Sequence, residues 1–136
     1  MSKVIVVKAE DCAIYHAPGA PHRLVKILTT PEITGAKEIS VGMTYCHPGC
    51  KGGLHTHKGP EIMVVIHGKG KFFTETEEHI LGPGDLIYIP PGVKHGYENV
   101  DPVTTLEFIW IYPVPEDTKP LEENWVKVKE HKFKEK

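Results

Sequence analysis

Turn-forming residues break this chain at short intervals, and that punctuation limits the folds open to it more than any other feature. Glycine and proline account for 13 and 12 of the 136 residues. They cluster at Ala17-Pro18-Gly19-Ala20-Pro21, His47-Pro48-Gly49, Lys51-Gly52-Gly53, Gly59-Pro60, Gly68-Lys69-Gly70, Gly82-Pro83-Gly84-Asp85 and Pro90-Pro91-Gly92. Between them lie runs rich in β-branched and aromatic residues, at 4–7, 23–28, 39–45, 62–66, 71–74, 78–81, 86–89 and 104–112. Strands this short at this spacing predict an all-β sandwich or barrel, with the Gly-Pro and Pro-Pro-Gly elements as its corners. No window sustains a helical apolar stripe, although 121–128 has room for one helical turn. The proline- and acid-rich segment 113–124 reads as an extended strap leaving the last strand, with Trp125 anchoring its far end. No break resembles an interdomain linker, so one domain spanning 1–136 is expected, ending in a strap and tail over 113–136.

Composition excludes several classes of function. The longest apolar run, 62–66, is five residues, far short of a membrane-spanning helix. The start of the chain carries a charge too early for a signal peptide, so a cytoplasmic protein is expected. A net charge of -2 and a pI near 6.5 offer no basic field to nucleic acid. The lysines of the tail 127–136 are interrupted by glutamates and read as a solvated terminus. Cys12, Cys46 and Cys50 are odd in number, and with a reducing compartment expected, no disulfide framework is predicted. There is no Gln and only two Asn, beside abundant Lys and Glu, a thermophile-like balance. Nine histidines stand out, and they direct the search for a site.

His55 and His57 stand two apart, so on a strand both imidazoles point to one face. Glu61 follows beyond the Gly59-Pro60 turn, where a reversing chain returns a carboxylate to the same side. Two nitrogens and an oxygen already suit a divalent metal, and His95, after Pro90-Pro91-Gly92, is a candidate fourth donor.

The spacing Gly49-x5-His55-x-His57-x3-Glu61-x6-Gly68 resembles the first cupin motif, and Gly84-x5-Pro90-x-Gly92-x2-His95-x3-Asn99 resembles the second, with 15 residues between them. The resemblance spans 49–99 and implies a jelly-roll-like β-barrel (a double-stranded β-helix). It also implies one metal, Mn, Fe, Co, Ni, Cu or Zn, held by His55, His57, Glu61 and His95. Gly49, Gly68, Gly84 and Gly92 are expected at turns requiring positive φ or close approach. Asn99 is expected to bond backbone, and Asp85 to cap a turn.

Strand alternation places Met63 and Val65 on the face of Glu61, Tyr97 on that of His95, and Leu106, Phe108, Trp110 and Tyr112 inward. On 39–47 the apolar set Val41, Met43, Tyr45 and His47 is expected inward, against Gly42, Thr44 and Cys46. His16 and His22 flank the turn at 17–21, and His67, His79 and His131 are expected at the surface. Arg23 is the chain's one arginine, at the surface or the barrel mouth. The resulting expectation is a metal-dependent enzyme acting on a small oxygenated metabolite, by dioxygenase, decarboxylase, isomerase or lyase chemistry. Glu61, Tyr97 and His47 are its candidate acid–base groups. The alternative is a non-catalytic small-molecule-binding or sensor cupin whose metal serves structure or ligand anchoring. A homodimer is expected, joined through a strand at 3–8.

Overall fold

The computed structural model describes residues 3–132. Strand β1 (Ile14–Ala17) turns through Pro18-Gly19 into β2 (Ala20–Thr29), and a short α1 (Pro31–Thr34) leads to β3 (Ser40–Cys46). The region of the two glycine- and histidine-bearing motifs follows as β4 (Lys51–His55), β5 (Glu61–His67), β6 (Gly70–Thr74), β7 (Glu78–Leu81), β8 (Leu86–Ile89) and β9 (His95–Asn99). After β10 (Leu106–Tyr112) come a 3-10 turn at Pro115–Thr118, α2 (Lys119–Asn124) and β11 (Val126–Lys129). All pairing is antiparallel, in a seven-stranded sheet ordered β11-β1-β2-β3-β10-β5-β8 and a four-stranded sheet ordered β4-β9-β6-β7. This is the jelly-roll architecture expected of the chain.

One apolar core joins the two sheets. Phe72 on β6 and Tyr97 on β9 meet Phe108 on β10 edge-on, at ring separations of 5.4 and 4.9 Å. Glu61, Met63 and Val65 are buried together on β5, and Leu106, Phe108 and Trp110 on β10, as alternation predicts. The four motif glycines all take positive φ, at 84, 78, 90 and 77° in chain order. Asn99 donates to the carbonyls of Cys46 and Thr104, and Asp85 accepts from the Gly82 N–H. No helix among the described residues is long and apolar enough to cross a membrane.

Four expectations are corrected. Residues 3–8 form no strand, and Val4 and Val6 are largely exposed, because no neighbouring strand offers them a ladder; the edges of the larger sheet are β11 and β8. The strap is helical rather than extended, with Pro115 and Pro120 in first turns where a missing N–H costs nothing. On β3 the inward set is Gly42, Thr44 and Cys46, while Val41, Met43 and Tyr45 are half-buried outside. Space decides this: a Cβ on Gly42 would lie 2.1 Å from Cζ2 of Trp110, so the facing indole admits only small neighbours. Finally, Cys46 and Cys50 are joined by a disulfide, both fully buried, leaving Cys12 as the free thiol. An odd count does not exclude one local pair. The turn at 47–49, closed by Cys50 N–H donating to His47 O, brings the two Cα atoms to 5.3 Å, within bridging distance.

Candidate metal centre

The four predicted donors converge from both sheets. His55 ends β4 and stands opposite His95, the first residue of β9, while Glu61 opens β5 of the other sheet. His57 lies just beyond β4, tied to the second motif where Gly92 N–H donates to its carbonyl. One ligand atom from each of His55, His57, Glu61 and His95 lies within 4.8 Å of all the others. Glu61 and His95 are buried, whereas His55 reaches the open rim.

Backbone carbonyls set the imidazole tautomers. Nδ1 of His55 faces Gly53 O at 3.0 Å, Nδ1 of His57 faces Gly59 O at 3.1 Å, and Nδ1 of His95 faces Val93 O at 2.8 Å. A carbonyl can only accept, so each Nδ1 carries the hydrogen, and in each neutral ring the lone pair sits on Nε2. Nε2 of His57 and of His95 then approach Glu61 Oε1 at 3.0 and 2.8 Å. Lone pairs this close to a carboxylate require a positive centre, either protons or a cation. This donor set fits a divalent ion, with three oriented nitrogens and one carboxylate oxygen.

The electrostatics follow. Burial would raise the Glu61 carboxyl, but the bonds from His57 and His95 outweigh it and hold its pKa below the ordinary value. Desolvation works against charge on His57, yet Glu61, Gly59 O and Asp117 together carry its pKa upward. His55 shifts down, through desolvation first and repulsion from neighbouring His95 as well. Burial, reinforced by the Glu61 charge, pushes Tyr112 well above its usual range, so its phenol stays protonated. Its ring packs edge-on against His57 at 4.7 Å.

A cavity of about 40 Å³ lies against Glu61, His95, Tyr97 and Trp110. It adjoins a mouth groove of about 410 Å³ along His55, His57, Leu121 and Trp125. Arg23, His55, Tyr112, Leu121 and Trp125 line both, so the strap forms one wall of the entrance. Tyr97 is buried in the cavity wall, and its hydroxyl accepts from Nε of Arg23 at 2.6 Å. Burial raises its pKa despite the opposing guanidinium. His47 lines neither space; its exposed ring bonds the Thr105 hydroxyl.

Sequence reading missed Asp117. From the 3-10 turn it accepts from Gly59 N at 2.8 Å and Lys58 N at 3.3 Å, and its Oδ2 lies 3.5 Å from Nδ1 of His57. It therefore holds both the turn that follows His57 and the ring itself. Nothing local announces this, because the partners lie 58 and 59 residues away.

A family model described as a Cupin domain matches residues 42–112, just over half of the chain, and the chain belongs to that family. It is 31% identical over 102 residues to an uncharacterized protein of Methanocaldococcus jannaschii, a match covering 73% of this chain and 82% of the other. The structure is similar to that of a cupin-like protein from Thermotoga maritima, with 29% identity, a TM-score of 0.61, and coverage of 78% of this chain and 74% of that one. It is also similar to a predicted oxalate decarboxylase from the same organism, with 25% identity, a TM-score of 0.66, and coverage of 79% and 97%.

Proposed function

We propose that the protein is a metal-dependent enzyme acting on a small oxygenated metabolite. The observation that carries this reading is the tautomer-fixed convergence of His55, His57 and His95 on Glu61 at the base of an open groove. These four residues would hold one divalent transition metal. Such an ion supplies Lewis acidity, and redox chemistry where the element has it. The chain's own residues supply the rest. Glu61, ionised, is positioned to accept a proton as well as to bind metal. Tyr97 and Tyr112, both held in the phenol form, can donate hydrogen bonds to substrate oxygens but are poor bases. Leu121 and Trp125 of the strap and the aromatic wall limit water at the site. His47, on the outside, has no part in this reading. The likeness to a predicted oxalate decarboxylase supports a small oxygen-rich substrate.

The test is turnover, or oxygen consumption, by protein reconstituted with Mn, Fe, Co, Ni, Cu or Zn in turn and challenged with small hydroxy and keto acids. Activity that depends on metal and disappears in His57→Ala supports the reading. Identical metabolite binding by metal-free and loaded protein, without turnover, refutes it in favour of a binding module. Assembly as a homodimer belongs to the same proposal, and a solution mass near the single-chain 15.2 kDa refutes that part.

A further inference from the structure

Arg23, the one arginine in the chain, is half-buried on β2 at the junction of cavity and groove. Its guanidinium lies over the Tyr97 ring at 5.1 Å and the Trp125 ring at 4.8 Å, so core and strap grip it from two sides. Room for it exists because position 52 is glycine: a Cβ there would come within 2.8 Å of an Arg23 Nη and 2.9 Å of the Tyr97 ring. Among the described residues, one of its five N–H donors finds a partner, the Tyr97 hydroxyl. Among the described residues no carboxylate pairs with it. A half-buried guanidinium held between two rings, with no carboxylate partner among the described residues, leaves its charge to an anion in the adjoining cavity and groove.

Resting on the function proposed above, we infer that Arg23 anchors the carboxylate of an anionic substrate whose second oxygen donor reaches the metal centre. The planar guanidinium matches a carboxylate edge-on through two parallel bonds. Charge favours a carboxylate over a phosphate ester. Among the described residues no lysine lines either space, and the remaining walls are largely aromatic and aliphatic. A phosphate dianion would face a single arginine, whereas a monocarboxylate is matched by it. Tyr97 is then a positioning residue, fixing the Nε edge so that the Nη groups remain for the ligand.

The test uses glycolate and its neutral isostere glycolamide, titrated calorimetrically into Mn(II)-loaded and metal-free protein. The proteins are wild type, Arg23→Lys and Arg23→Met, with thermal melts and Mn(II) affinity measured for each. Arg23→Met is expected to weaken glycolate binding on the order of 10–100-fold, to weaken glycolamide binding much less, and to leave Mn(II) affinity near wild type. Arg23→Lys, which keeps charge but not the planar pair of donors, falls between. Equal glycolate affinity in wild type and Arg23→Met overturns the anchor, as does a wild type that binds no glycolate. Tighter binding of inorganic phosphate than of glycolate overturns the choice of anion. Failure to take up Mn(II) counts against the metal-dependent function instead. The anchor is then judged on metal-free protein, where wild type must still bind glycolate more tightly than Arg23→Met.

Discussion

Asp117 offers a direct test of how the centre is held together. Replacing it with alanine removes the acceptor of Gly59 N–H and Lys58 N–H and the carboxylate beside the His57 ring. The Lys58 bond is exposed, so water replaces it. The Gly59 bond is half-buried and charge-assisted, and its loss costs about 1–2 kcal/mol. For a chain of this size that lowers the Tm of the metal-free protein by about 4–7 °C. Freed from the turn, His57 loses orientation, and removal of such an outer partner typically weakens metal binding ~10–100-fold, or ~1.4–2.7 kcal/mol. Asp117→Asn separates the two effects, because its amide oxygen still accepts from Gly59 N–H while the charge beside His57 is gone. Its Tm is expected near wild type and its metal affinity between wild type and Asp117→Ala. Co(II) absorption titrations give the affinities, and circular dichroism melts give the Tm. Wild-type Co(II) affinity in both variants, with only the Tm of Asp117→Ala reduced, would show that Asp117 serves the fold alone.

Protons and metal compete for Nε2 of His57, whose pKa is raised in the metal-free protein. Co(II) affinity should therefore weaken as pH falls through that raised value, and the onset should move to lower pH in Asp117→Asn, which lacks one raising charge; a pH-independent affinity between about pH 5.5 and 8 contradicts this. The Cys46–Cys50 bridge closes a loop with a sequence separation of 4, which corresponds to about 2 kcal/mol of stability. Reduction should lower the Tm accordingly, and thiol counting under denaturing, non-reducing conditions should find one free cysteine, not three. Gly42→Ala drives a methyl into Trp110 and should cost ~1–3 kcal/mol with a shift in tryptophan emission, whereas an unchanged melt would contradict the packing of β3.

The candidate ligand cluster was legible because its geometry is mostly local. His55, His57 and Glu61 span one strand end, one turn and one strand start, so parity and turn chemistry nearly suffice to bring them together. His95 needed the motif resemblance, since its approach depends on β4 pairing with β9, a contact between distant segments. Strand limits at 78–81 and 86–89 agree with the structure because turn residues bound both runs. The facing of β3 was misread for a reason that sequence parity cannot supply. Val41, Met43 and Tyr45 form the more apolar set, but the interior opposite β3 is already filled by Trp110, and volume overrode hydrophobicity there. Asp117 was illegible for a related reason: its meaning comes entirely from Lys58, Gly59 and His57, delivered by a helical strap that its prolines made look extended.

Arg23 combines the two situations. Its uniqueness is plain in the sequence, but its direction is set by Tyr97, 74 residues further on, and by Trp125 beyond the strap. The strap closes one wall of the groove, supplies Asp117 to His57 and lays Trp125 on Arg23, so a single C-terminal segment touches both the candidate metal centre and the proposed carboxylate anchor. Loosening its helical turns should therefore disturb metal affinity and ligand affinity together. A centre assembled only from the two histidine motifs would be insensitive to the strap. The seating of 115–125 thus ties the donor cluster and the groove to one segment.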